Sequence, residues 1–268
     1  MIGTELFDLS GRVAVVSGAA SGMGRAMALA LAGHGADVVP VDRDEPGLLR
    51  TAAEIEAFGR RAVPCACDVS DADQVRALFR RVDREAGRID FLANVAGDGL
   101  IARPEDVTVE QVKGVFQNLV FGRFAMCQEA GTRMIAAGRG SILNVGSIGG
   151  VTALGRGHMA YGMAMAAVVQ MTRDLSTEWA GLGVRVNAIL PAQVWNPGLE
   201  RRAAEDPALL ETWLGGIPAG RLGRPDDVRG LAVLLASDAS SWITGAVIPF
   251  DGGNLAMNAG GSLRPRQV

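Results

Sequence analysis

The run Ser17-Gly18-Ala19-Ala20-Ser21-Gly22-Met23-Gly24 carries the most specific chemical signal in the chain. Glycines let a backbone turn tightly and bring N–H groups against a pyrophosphate, and a helix starting there favours the negative charge. Glycines also simply make turns. Here the run lies between a strand-like stretch, RVAVVSG, and a helix-length one, which is the context phosphate binding needs. Asp42 ends the second apolar run, where a carboxylate can accept both ribose hydroxyls of NAD and repel a 2′-phosphate. Arg43 beside it is able to hold such a phosphate; the pair reads as NAD over NADP. Histidine and cysteine offer less. His34 and His158 are too far apart to form a zinc site by themselves. Cys65, Cys67 and Cys127 contain no CxxC pair and read as buried thiols, with Cys65 and Cys67 alternating along a strand. No metal site is expected.

These residues need a scaffold, and the apolar pattern describes one. RVAVVSG, ADVVPVD, AVPCACDV, IDFLANVAG, SILNVGS, VRVNAIL and AVIPF read as strands. Between them helices are predicted over Gly22–Gly33, Pro46–Phe58, Gln74–Glu85, one long stretch Val109–Ala137, Ala160–Ala180, a looser Pro197–Gly215, and Pro225–Ser237. Continuously apolar strands alternating with helices imply a parallel sheet covered on both faces. Right-handed crossovers then give a doubly wound sheet of about seven strands flanked by helices, with ligands at the carboxyl ends of the strands. The fold class is thus α/β, a single-domain Rossmann arrangement over residues 1–268, with a Gly-, Pro- and Arg-rich tail, Asn258 to Val268, expected to be loosely ordered.

Composition narrows the function classes. Of 268 residues, 49% are hydrophobic and 21% charged, enough to bury a core and too apolar for disorder. A net charge of −3 argues against nucleic acid as the main partner, because phosphate backbones need a basic face. No signal-peptide pattern opens the chain, and apolar runs are broken well before the roughly 18 residues of a membrane span. A soluble, cytoplasmic protein with a small-molecule ligand is expected.

The spacing Gly18-xxx-Gly22-x-Gly24 resembles the TGxxxGxG motif of the short-chain dehydrogenase/reductase family, with Ser17 in place of Thr. The resemblance covers about residues 8–255. Asp68-Val69 looks like the family's adenine-contacting pair, and Asn94-Val95-Ala96-Gly97 is similar to its NNAG motif. Gly223-Arg224-Pro225 and Phe250-Asp251-Gly252-Gly253 resemble its C-terminal signatures. The resemblance implies cofactor contacts from Gly18, Ser21, Gly22, Met23, Gly24, Asp42, Asp68, Val69, Asn94, Ala96, Gly97, Pro191, Val194 and Asn196. Two departures fall in this set: Pro191 is followed by Ala192 rather than Gly, and Asn196 stands where a Thr commonly meets the nicotinamide amide.

The family's catalytic set is Asn, Ser, Tyr and Lys, and the resemblance places the first three at Asn118, Ser147 and Tyr161. The expected chemistry is hydride transfer between a secondary alcohol or ketone and nicotinamide, with Tyr161 exchanging the proton, Ser147 bonding the substrate oxygen and Asn118 anchoring a relay water. The lysine position holds Met165. A free tyrosine, with a pKa of about 10, is a poor base at neutral pH, and the family corrects this with a lysine one helical turn away. A thioether carries no charge. From sequence, no other cation is evidently placed to substitute: His158 reads as a loop residue at the pocket mouth, and Lys113, the only lysine, as a solvated charge. Three readings of Met165 stay open. The chain is a Lys-to-Met variant of an active dehydrogenase, a natural member with low or redirected activity, or a non-catalytic NAD-binding sensor or assembly subunit. For the first two, restoring Met165→Lys is expected to raise NAD-dependent alcohol oxidation.

Trp195–Gly216 falls where the family places its substrate-covering segment. Trp195, Leu199, Leu210, Trp213 and Leu214 there line a pocket for a moderately hydrophobic alcohol or simply pack on the core; sugar or polyol oxidation also remains open. The two helices around Asn118 and Tyr161 resemble the family's subunit contacts, implying a homotetramer or dimer.

Overall fold

A computed structural model describes residues 4–257. Seven parallel strands form one sheet in the order β3-β2-β1-β4-β5-β6-β7. They are β1 Val13–Ser17, β2 Asp37–Asp42, β3 Cys65–Ala66, β4 Phe91–Asn94, β5 Gly140–Val145, β6 Val184–Pro191 and β7 Val247–Phe250. The central strands are largely apolar because both faces are covered. In β1, Ala14 and Val16 pack on one side with Met27 and Leu31 of helix α1 (Gly22–Gly33). Val13 and Val15 pack on the other with Phe79 of α3 (Ala72–Glu85) and Met126 of α5 (Gly122–Ala136). Parallel strands need crossovers, and α2 (Glu45–Ala57) and α4 (Val109–Phe116) supply two more of the connecting segments. Helix α6 (Met159–Trp179) lies against β6, and α9 (Arg229–Ala236) against α1.

Four expectations change in detail. The predicted third strand shrinks to two residues, although Cys65 and Cys67 are both buried as their alternation implied. The long helix Val109–Ala137 is interrupted by a π-helical segment, Gln117–Phe121, joining α4 to α5. The stretch Pro197–Gly215 divides into α7 (Pro197–Glu205) and α8 (Pro207–Gly215), since Asp206 ends one helix and its carboxylate accepts Ala208 N–H at the start of the next. The predicted helix Pro225–Ser237 opens as a 3₁₀ turn, Pro225–Val228, before α9. The tail expected to be loose, Asn258 to Val268, lies outside the described residues.

The order reverses between β1 and β4, and there the carboxyl ends of the strands leave a crevice. Ser17 holds its two lips together. Its hydroxyl donates to Ala93 O (3.3 Å) and accepts from Val95 and Ala96 N–H (3.0 and 3.3 Å). A buried chain of side chains then fixes the floor: Asn94 Nδ2 donates to Asn144 Oδ1 (3.0 Å), and Asn144 Nδ2 to Thr172 Oγ1 (3.0 Å).

Candidate active site

The glycine run folds as its spacing requires. A Cβ at Gly24 would run into the Gly18 carbonyl, so only glycine lets α1 begin so close to β1. Gly22 has φ +53° and nothing within 4 Å of where its Cβ would stand, leaving open space above the first turn of α1. That cradle, at the N-terminus of a helix, fits a pyrophosphate. Asp42 sits at the end of β2, where its carboxylate accepts Ala20 N–H (3.0 Å) and Asp44 N–H (3.1 Å). The first bond ties the acid to the glycine loop, and the second closes the turn that follows β2. Arg43 turns towards acids instead: its guanidinium lies 3.2 Å from Asp98 and 3.9 Å from Asp68. Hydrogen bonds from the Ser70 hydroxyl and backbone hold the Asp68 carboxyl below its ordinary range.

Two expected contact residues spend their side chains elsewhere. Asn94 is buried and faces Asn144 and Cys127. Asn196 caps α7, accepting Gly198 and Leu199 N–H (both 3.0 Å) and donating to Val194 O (3.0 Å).

Ser147 and Tyr161 open into one cavity of about 220 Å³, together with Gln193 and Trp213. Ser147 follows β5 and begins a 3₁₀ turn; its Oγ accepts Gly149 N–H (3.1 Å), which leaves the hydroxyl proton for another acceptor. Tyr161 lies in the first turn of α6, with its ring against Gly99: a Cβ there would stand 2.5 Å from the ring. Asn118 lies in the π segment and donates to Asp98 O (3.4 Å). Met165, one turn after Tyr161, is 1% exposed and packs with Val115, Leu119, Ala164 and Val168. Gln193 adds a buried Oε1 with no partner, an acceptor available at the cavity wall.

His158 stands at the cavity mouth as expected, its Nδ1 3.0 Å from Gly155 O and its ring edge-on to Tyr161 at 6.3 Å. Lys113 is exposed and pairs with Glu110 (2.9 Å). Of the apolar residues expected from Trp195–Gly216, Leu199 and Trp213 line the cavity, while Trp195, Leu210 and Leu214 pack in the cluster behind it.

Three cations went unnoticed in the sequence. Arg156, at φ +53°, and Arg202, stacked 5.5 Å from the Trp213 ring, both line the cavity. Arg123 of α5 is 4% exposed. It donates to Leu119 O (2.8 Å) and Val145 O (3.3 Å), and its Nε has no partner. Burial brings its guanidinium down to about 10, so it stays charged at neutral pH. One signal pointed to it: Arg123 falls within the apolar stripe Leu119, Met126, Cys127, Ala130 of the predicted long helix Val109–Ala137, where a charge is out of place.

The family described as Enoyl-(Acyl carrier protein) reductase matches residues 18–254. The chain is 40% identical to D-threitol dehydrogenase of Mycolicibacterium smegmatis, over 92% of this chain and 94% of that protein. It is 39% identical to the L-tagatose-forming galactitol 2-dehydrogenase of Cereibacter sphaeroides, over 92% and 96%. Among solved structures, a gluconate 5-dehydrogenase from Burkholderia cenocepacia J2315, in complex with NADP and tartrate, superposes with a TM-score of 0.89 at 30% identity, covering 95% of this chain and 99% of that one. Likeness along nearly the whole length, with the sheet order and glycine cradle described above, makes this chain a member of the short-chain dehydrogenase/reductase family.

Proposed function

We propose that the protein is an NAD-dependent dehydrogenase interconverting a secondary alcohol of a polyhydroxylated small molecule and the corresponding ketone. The observation that carries this reading is the convergence of Ser147 and Tyr161 on one cavity, in a chain whose glycine run packs against Ala96 at the carboxyl ends of the strands. Gly18, Gly22 and Gly24 would hold the pyrophosphate and Asp42 the adenosine ribose; nicotinamide, when bound, supplies the hydride acceptor or donor. The Asp42 carboxylate disfavours a 2′-phosphate, and Arg43, the one cation beside it in sequence, faces Asp68 and Asp98, which supports NAD over NADP.

In the oxidation direction Ser147 Oγ donates to the substrate oxygen, and Tyr161 Oη removes its proton as the C–H hydride leaves. In reduction Tyr161 returns the proton to the new alkoxide oxygen. Asn118, in the widened π turn, anchors the water that relays protons. Hydroxyl groups of a polyol suit the polar part of the cavity, where Gln193 Oε1 lacks a donor. Arg156 and Arg202 favour substrates that also carry a carboxylate, as in sugar acids. Exposed Phe121 and Phe124 on the long helix and Met163 on α6 fit assembly as a homotetramer or dimer through those helices.

A panel of polyols, sugar acids and their keto forms, assayed by NADH absorbance, tests the reading. Turnover that Tyr161→Phe abolishes, with NAD binding by calorimetry retained, is the expected result. NAD binding with no turnover of any alcohol or ketone would favour a sensor or assembly subunit, a reading that the apolar Met165 keeps in play. No NAD binding would overturn both.

A further inference from the structure

Two arginines open into the cavity that holds Ser147 and Tyr161, and no acid does. Its polar lining is Ser147, Tyr161, Gln193, His158, Arg156 and Arg202. Arg202 is the better held of the two. It follows Leu199 by three residues, so both stand on the face of α7 turned to the cavity, while Glu200, Arg201 and Glu205 are exposed. Its guanidinium lies 5.5 Å from the ring of Trp213, a residue of α8 that is 4% exposed, so a buried indole backs the charge. Neither arginine is in an ion pair with an acid among the described residues, whereas Arg12, Arg25, Arg60, Arg133 and Arg221 all are. Asp206, one turn beyond Arg202, accepts Ala208 N–H instead.

Arg156 is set differently. It is the one non-glycine among the described residues with a positive φ, +53°, between Gly155 at +62° and Gly157 at +77°. That conformation strains any residue with a side chain and persists only where the surroundings hold it. Gly157 does the holding: a Cβ there would stand 2.9 Å from Ala102 O, and its carbonyl accepts Ala102 N–H (3.0 Å). The exposed Arg156 is thereby kept at the cavity rim.

We propose that the Arg202 guanidinium, backed by Trp213, binds the carboxylate of a polyhydroxylated acid and so selects that acid over the neutral polyol of the same chain. The proposal rests on the dehydrogenase reading of this cavity and narrows it to one substrate class. A guanidinium fork matches a carboxylate with two parallel N–H bonds. Gln193 Oε1, buried and without a donor, accepts a hydroxyl of the same molecule. Charge decides between a carboxylate and a phosphate ester. One half-buried guanidinium offsets one negative charge, and a phosphate monoester, near −2 at neutral pH, leaves charge uncompensated there. Arg156 lies in water, where it is screened, and acts by drawing the anion to the mouth. Arg202 thus sets specificity and takes no part in the proton or hydride step.

Matched pairs test this: gluconate with glucitol, galactonate with galactitol, and threonate with threitol, plus glucitol 6-phosphate as the phosphate arm. Binding is read by calorimetry with and without NADH, which offers no hydride acceptor, so no alcohol turns over. At least one acid is expected to bind about 10–100-fold more tightly than its alditol, as hydrogen bonds between charged groups allow. Arg202→Gln brings that ratio to about one, and Arg202→Lys keeps part of it. Should Arg202→Gln fail to fold, Arg202→Met, which keeps an apolar stem on Trp213, takes its place. Arg156→Gly, free to adopt the same φ, lowers acid affinity only about two- to fivefold and flattens its salt dependence. Acids bound no more tightly than their alditols in every pair, or a ratio unmoved in the folded Arg202 variant, overturn the proposal. Glucitol 6-phosphate bound more tightly than every acid overturns the choice of carboxylate. Acid binding that depends on Arg202, without turnover once NAD is supplied, leaves the site assigned and removes the dehydrogenase reading. Turnover of alditols alone does the reverse.

Discussion

Gly24 and Asp42 act at opposite ends of one path, and each admits a single-residue test. Adding a Cβ by Gly24→Ala forces the start of α1 away from the Gly18 carbonyl, in the stretch where backbone N–H groups must converge. Calorimetry is expected to show NAD binding weakened at least about tenfold, since that convergence supplies the charge-assisted bonds. Asp42→Ala removes both the ribose acceptor and the repulsion of a 2′-phosphate. NAD affinity is expected to fall about tenfold or more while NADP affinity holds or rises; an unchanged ratio of the two would place adenosine specificity elsewhere. Inside the sheet, Asn144→Ala breaks the bridge from Asn94 to Thr172 and strands buried polar atoms. Loss of about 1–3 kcal/mol in urea unfolding is the expected cost.

At the scale of elements, the π segment Gln117–Phe121 matters most, because it presents Asn118 and leads directly into Arg123. The helix feeding it is started by Thr108 and Gln111, whose side chains and backbones cap each other reciprocally. Thr108→Ala should cost about 1 kcal/mol by chemical denaturation. Those local devices also explain what was legible beforehand. The glycine run, the Asp closing β2 and the strand–helix alternation are short-range features, so residue types and spacing suffice to place them. Ser147 and Tyr161 were placed through family resemblance, and their shared cavity exists only once β5 and α6 are packed. Arg123 was missed for a related reason. Its partner carbonyl lies at Val145, on a strand beyond the end of its own helix, and no local pattern brings the two together. The π widening gave no signal in the residues at all. The shortened β3 follows from its place at the sheet edge, where it pairs only with β2.

For the whole molecule, the three cysteines are free and buried, and burial pushes Cys67 and Cys127 up to about 12. A thiol raised in the folded state stabilises the fold below its unfolded value of about 8.5, and that contribution fades as pH climbs towards the folded value. Thermal unfolding midpoints should therefore fall steadily from about pH 9 upward, and thiol reagents should label the native protein slowly at neutral pH. Reagent uptake as fast as in the unfolded chain would contradict the burial. The sheet order has a kinetic meaning as well. Because each strand pair is parallel, there is no hairpin to form first, and every pairing must wait for an intervening crossover. The central pair, β1 with β4, closes a loop that contains β2, β3 and their helices. Such non-local closure slows folding, so after dilution from denaturant NAD binding should return only with the slow recovery of native tertiary signal, since the crevice has no walls until β4 has docked beside β1.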